Sequence, residues 1–255
     1  MLLHSPTQLD YVPRRIVSLV PSQTALLYHL QLEERVVGIT KFCVHPPHWK
    51  KSKTIVGGTK NIHLETVKKL APHLVIANKE ENVKEQVDAL AAVYNVWVTD
   101  VHDLQSAIHM IAETGEYTHS PQEAAAIITG ITNGFAGIQP IYPKINSCYL
   151  IWRHPYMTIG GDTFIHDIME RCGLRNIYGN SSRYPEISLH QLRQANCELL
   201  LLSSEPYPFQ QQHIDELQQQ LPGTKILLVD GEIFSWYGSR LLQAPAYLNA
   251  LLKRI

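Results

Sequence analysis

Residues 120–138, SPQEAAAIITGITNGFAGI, constrain the fold more than any other stretch of the chain. Ser120 followed three residues later by Glu123 is a capping-box pair, and Pro121 suits a first helical turn. The Ala and Ile residues beyond recur at helical rather than alternating spacing. At about 1.5 Å per residue such a helix runs roughly 27 Å, the breadth of a small domain. On each side of it short apolar runs alternate with helical patterns, the rhythm of α/β structure with parallel sheets. The pattern predicts two Rossmann-like lobes with parallel central sheets, bridged by one long backbone helix, with function in the cleft between the lobes. It also fits a crossover helix inside one larger domain.

Taken in order, the first block reads as strand 15–20, a helix 23–30 capped by Ser22, and strand 36–39. An amphipathic helix 63–70 stopped by Pro72 follows, then strand 74–77, helix 83–93, strand 96–98 and helix 103–116. The second block reads as strand 148–152, helix 164–172 halted by Gly173, and a short helix capped by Ser188. Strand 198–202, helix 213–220, strand 226–229 and helix 241–252 complete it. The predicted boundaries are 1–102 for the N-terminal lobe, 103–140 for the linking and backbone helices, and 141–255 for the C-terminal lobe.

With 255 residues the chain has ample length for one large core or two ordinary ones. A net charge of −1 gives no electrostatic ground for a nucleic-acid surface. No apolar stretch approaches the roughly 18 residues of a membrane span. At the N-terminus His4, Gln8, Asp10 and the Arg14–Arg15 pair interrupt the apolar run a secretory signal needs. The sequence as it stands therefore reads as cytoplasmic, or as periplasmic or surface-anchored if a leader has been removed. Cys43, Cys148, Cys172 and Cys197 are widely spaced and read as buried free thiols.

Phosphate-binding, nucleophile-elbow and zinc-protease motifs are all absent. What recurs instead is a polar-aromatic loop after a predicted strand: FCVHPPHW, GGTKN, ANKEEN, WRHPYMTIGGDT, GNSSRYPEI, SSEPYPF and FSWYGSR. Large rings supply rigid apolar area, while Arg, Lys and Tyr tips orient the polar rim of a ligand.

The order RIVSLVPSQTALLYHL, VVGIT, HPP and VGGTKNIHLETVKKLAPHLVIA resembles the N-terminal lobe of class III periplasmic binding proteins. These helical-backbone metal receptors bind vitamin B12, iron-siderophores or haem for ABC importers, and the pattern is most similar to that of the vitamin B12-binding members. The resemblance extends over essentially the whole chain. It implies a non-enzymatic, monomeric solute-binding protein for a corrinoid or another metal chelate, with no cofactor of its own. Cobalamin, haem or an iron-siderophore would be its ligand, and an ABC permease its partner. The cleft positions of the B12-binding members fall on His45, Thr59, Asn78, Tyr184 and the loop around Tyr156. His45 stands in the place of a ligand-contacting tyrosine, with an imidazole able to coordinate cobalt or iron. Thr59 and Asn78 replace large rings, and Trp152, Tyr207, Trp236 and Tyr237 are the candidates to restore that bulk. Lys60, Arg153, Arg183 and Arg240 are candidates to engage carboxylates or phosphates, Arg240 matching the family's arginine at the start of the last helix. Glu65 matches the N-lobe glutamate that docks on the permease. The C-lobe equivalent falls on His190, with Glu186 nearby.

Two alternatives remain open at this point. One is a cytosolic protein that binds or senses a tetrapyrrole or metal complex. The other is an enzyme acting on such a ligand, with His45 or His154 as acid/base, Glu205 or Glu232 completing the pair, and Arg153, Arg183 or Lys60 clamping anions.

Overall fold

Runs of Val, Ile and Leu without alternation form strands buried on both faces, and here they build two parallel sheets. In the computed structural model, which describes residues 1–255, the first sheet contains β1 (Leu2–Leu3), β2 (Ile16–Ser18), β3 (Val36–Ile39), β4 (Thr54–Ile55), β5 (Leu74–Asn78) and β6 (Val96–Thr99). Its order is β1-β6-β5-β2-β3-β4, with every pair parallel. Helices α1 (Pro21–His29), α2 (Trp49–Ser52), α3 (Leu64–Leu70), α4 (Lys84–Ala91) and α5 (Leu104–Thr118) are interleaved or follow, and α6 spans Pro121–Ala136. The second sheet contains β7 (Ile145–Leu150), β9 (Leu174–Asn176), β11 (Leu199–Ser203) and β12 (Lys225–Val229), in the parallel order β12-β11-β7-β9. Strands β8 (Tyr156–Met157) and β10 (Glu186–Ile187) form a separate antiparallel pair. The remaining helices are α7 (Phe164–Arg171), α8 (Leu189–Gln194), α9 (Gln211–Gln220), α10 (Gly231–Ser235) and α11 (Ala244–Leu252).

The chain divides into two units. One holds Met1–Val101, Gln105–Ile131 and Tyr237–Arg240; the other holds His102–Leu104, Thr132–Trp236 and Leu241–Ile255. Helix α6 is continuous, with residues 121–131 in the first unit and 132–136 in the second. The first core joins Val17, Leu19, Val56, Val67, Val75 and Leu90. The second joins Cys148, Leu150, Leu200, Leu202, Leu217 and Ile226. Each fully buried side chain of this size contributes about 1.5–3 kcal/mol, set against the conformational entropy lost in ordering the chain.

Local signals act mostly where the sequence puts them. Ser188 accepts from the Gln191 N–H and closes a capping box with Gln191. Gly173 leaves α7 at φ +75, where a Cβ would lie 2.2 Å from the Ile141 carbonyl oxygen. Ser22 is a correction: α1 begins at Pro21 with Val20 as its cap, because proline itself takes the first helical position. Ser22 therefore sits inside the first turn. All four cysteines are free and buried, as the spacing predicts. Burial pushes the Cys172 and Cys197 thiols up to about 12, so they stay protonated and unreactive at neutral pH.

Candidate functional site

In each sheet the strand order reverses at one crevice, between β2 and β5 in the first and between β7 and β11 in the second. Ligands of open α/β sheets bind outside the carboxyl ends of the strands at such switch points.

At the first switch point the chain leaves β5 through Asn78. Its Oδ1 accepts from the Glu80 and Glu81 N–H groups at 2.8 and 3.1 Å, and its Nδ2 donates to the Thr99 carbonyl and hydroxyl oxygens at 3.0 and 3.1 Å. Asn82 returns its Oδ1 to the Asn78 N–H at 2.8 Å and donates from Nδ2 to the Thr59 carbonyl at 3.0 Å. Gln23, on α1, donates to Thr99 Oγ1 and keeps its buried Oε1 without a donor. Thr59 and Lys60 are the central residues of a tight turn closed by the Asn61 N–H to the Gly58 carbonyl at 3.3 Å, with the Gly58 N–H donating back to the Asn61 carbonyl at 2.9 Å. Gly57, at φ +105, has no room for a Cβ, which would stand 2.4 Å from the Asn61 oxygen. The Lys60 ammonium reaches the Glu80 carbonyl. Thr59, Lys60 and Asn78 are thus drawn into one network, with Asn82 as its hub. His45 lies half-buried on the neighbouring loop after β3, which Cys43 anchors through Thr24 and Thr40 hydroxyls at 3.1 and 3.2 Å. Glu81 has its carboxyl pushed up, chiefly by burial, against the opposing pull of Lys60.

The second switch point is lined differently. Trp152 and Arg153 follow β7, and Tyr207 follows β11, its N–H donating to the Ile151 carbonyl at 3.3 Å. The Trp152 and Tyr207 rings meet edge-on, centroids 5.8 Å apart, and Trp152 stays 40 % exposed. Arg153 donates from Nη2 to Glu216 Oε2 and keeps its buried Nε without a partner; the Tyr207 and Tyr156 hydroxyls and the Glu216 charge favour its charged form against burial. Tyr156 enters β8, which pairs with β10 and so draws the Arg183–Tyr184 segment alongside. Gly160 and Gly161 permit this approach: their N–H groups donate to the Arg183 and Ser181 carbonyls at 2.7 and 2.9 Å. A Cβ on Gly161 would stand 2.0 Å from the Gly179 oxygen. The Arg183 guanidinium lies over the Tyr184 ring at 5.9 Å. The structure therefore gathers Trp152, Arg153, Tyr156 and Tyr207, with Arg183 and Tyr184 on the adjoining segment.

Trp236 is buried and donates from Nε1 to Glu205 Oε1 at 2.8 Å, while Ser235 Oγ donates to the same oxygen at 3.1 Å. Burial raises the Glu205 carboxyl above the usual range; these two hydrogen bonds oppose the shift, and the Glu232 and Asp230 charges add to it. Tyr237 is buried and Arg240 half-buried on the segment that belongs to the first unit. Glu65, exposed on α3, pairs with Lys68 at 2.6 Å, which lowers its carboxyl. Glu186 is exposed on β10. No three His, Cys, Asp or Glu side chains gather to hold a metal ion. Sequence reasoning did not single out Asn82, Phe209, His213 or Glu216. Asn82 and Phe209 lie within the ANKEEN and SSEPYPF loops, His213 and Glu216 carry no motif, and only the strand order brings them to the two crevices.

Two α/β units, each with a strand-end crevice furnished by polar and aromatic loops, form a frame suited to holding a small molecule. The chain belongs to the periplasmic binding protein family, whose pattern it matches over residues 16–225. It is similar to the vitamin B12-binding protein of Photorhabdus laumondii, 26 % identical over 196 residues that cover 75 % of this chain and 71 % of that one. It is also similar to an uncharacterised ABC transporter substrate-binding lipoprotein of Bacillus subtilis, 27 % identical over 191 residues, 69 % of this chain and 59 % of that one. Among solved structures, a periplasmic haem-binding protein of Pseudomonas aeruginosa superposes with a TM-score of 0.78 at 21 % identity, covering 94 % of this chain and 93 % of that one.

Proposed function

We propose that this protein captures a corrinoid of the cobalamin type and presents it to an ABC permease. The observation that carries the reading is the second switch point, where an exposed indole, two tyrosines and an arginine stand at the carboxyl ends of β7 and β11. A bulky, largely apolar chelate with a polar periphery is matched by rigid rings and oriented donors. Similarity to vitamin B12-binding relatives supports the same ligand class. The descriptions of the relatives support a place outside the cytoplasm and a permease partner, with Glu65 and Glu186 as the docking carboxylates.

A second reading, haem as the ligand, draws support from His45, whose imidazole suits an iron axial position. One titration separates the two. Purified protein mixed with cyanocobalamin, haem and a ferric siderophore should bind cyanocobalamin with micromolar or better affinity, about −8 kcal/mol or stronger. Preference for haem with a Soret shift abolished by His45→Ala selects the second reading. Binding to none of the three, by calorimetry or absorbance, overturns both.

A further inference from the structure

The aromatic surface at the second switch point is held from behind by α9. The Gln210 N–H donates to His213 Nδ1 at 2.8 Å. A ring nitrogen that accepts carries no proton, so the neutral imidazole keeps its proton on Nε2, which lies 3.3 Å from Tyr207 Oη. His213 is only 4 % exposed, so this bond is shielded from water. One helical turn on, along the same face of α9, Glu216 takes the Arg153 guanidinium. Phe209 packs edge-on against both Tyr207, at 4.7 Å, and His213, at 5.5 Å. Tyr207 is thereby fixed at its oxygen and along its ring, and it meets Trp152 edge to face.

We propose that His213 and Glu216 are positioning residues of ligand capture: through Tyr207 and Arg153 they hold the exposed Trp152 indole as a preformed shelf for a flat conjugated ring of the ligand. The inference rests on the solute-binding reading and adds to it. The indole shelf itself selects by shape and π surface, while Arg153, bonded to Glu216 through Nη2 and with its buried Nε left without an acceptor, stands beside it. A large ring left free to rotate loses part of its affinity to ordering on binding, and α9 removes that loss in advance.

The test uses the 255-residue chain, four variants of the Tyr207–His213 pair, and Trp152→Phe as the fluorescence reference. His213→Asn keeps an acceptor for the Gln210 N–H but offers Tyr207 nothing; His213→Ala loses both. Tyr207→Phe removes the other end of the bond, and the His213→Asn/Tyr207→Phe double variant closes the cycle. Trp152 is read by fluorescence anisotropy, as the difference from Trp152→Phe, and cyanocobalamin and haem binding are titrated in parallel. His213→Asn and Tyr207→Phe should each weaken binding about fivefold, by an amount the double variant does not exceed. Trp152 anisotropy should fall in the unliganded protein, and the thermal midpoint should drop for His213→Ala more than for His213→Asn. Unchanged anisotropy in His213→Asn overturns the positioning role, as do fully multiplicative losses. The anisotropy measurement needs no ligand, so a protein that binds neither probe but loosens Trp152 fails the functional reading alone.

Discussion

The crevice between β2 and β5 is filled with short polar side chains that bond to one another, whereas that between β7 and β11 is filled with rings. In the first, Asn78, Asn82 and Thr99 spend their donors and acceptors on backbone and on each other. Apart from Gln23 Oε1, which has no donor, this buried network is satisfied; it fixes loop shape, and its energetic weight lies in stability. In the second, the polar groups of Arg153, His213 and Glu216 fasten aromatic side chains, and the indole they support remains open to solvent. On the function proposed above, its weight lies in binding. One topological feature thus serves two physical ends, according to whether amides or rings occupy it.

That contrast can be broken in graded steps. Gly161→Ala has the largest expected effect, because a Cβ would stand 2.0 Å from the Gly179 oxygen. The loops around β8 and β10 must part, costing about 3 kcal/mol or more, and thermal unfolding should begin more than about 6 °C earlier. Asn78→Ala comes next. It strands the Glu80 and Glu81 N–H groups, costs about 2 kcal/mol, and should lower the midpoint by about 4–8 °C while ligand affinity of the folded protein holds. Trp152→Ala should do the reverse, weakening ligand affinity tenfold or more at nearly constant midpoint, as calorimetry and a melting curve would show. If Asn78→Ala abolished binding in a folded protein, the division of labour between the crevices would be wrong.

Glu205→Gln sharpens the comparison with a smaller effect. The folded protein holds this proton more tightly than the unfolded chain, since burial raises the carboxyl. Its contribution is full below the unfolded carboxylate value and is lost as pH rises through the raised folded value. The amide should therefore raise the midpoint by about 2–4 °C at pH 8 and leave it unchanged at pH 4, in paired melts. Glu65→Ala should be the quietest change. It removes an exposed, solvent-screened pair with Lys68, so the melting midpoint and ligand affinity should not change, and only uptake through the proposed permease should respond.

Much of this architecture is legible before folding. The unbroken apolar run that became β11 announces a strand covered on both faces, and Ser188, Gly173 and Pro121 act at their helix ends as their chemistry dictates. Short elements escape: β4, β8 and β10 have two residues each, too few for any period to register. The site is legible only in halves. Trp152 and Tyr207 are visible as aromatic loop residues, but His213, in the run QQQHIDE, looks like any polar helix position.

The sequence alone determined the class of structure, two blocks of parallel β and α elements with a continuous helix in the middle, because hydrophobic period and end signals are local properties of the chain. It also carried enough of a family pattern to mark the loops where a ligand would be met. Only the tertiary structure decided which loops are neighbours. Strand order sets β7 beside β11, and so brings Trp152 to Tyr207 and Arg153 to Glu216. Contacts between segments this far apart depend on how the sheet is wound, and no periodicity in either segment encodes that winding.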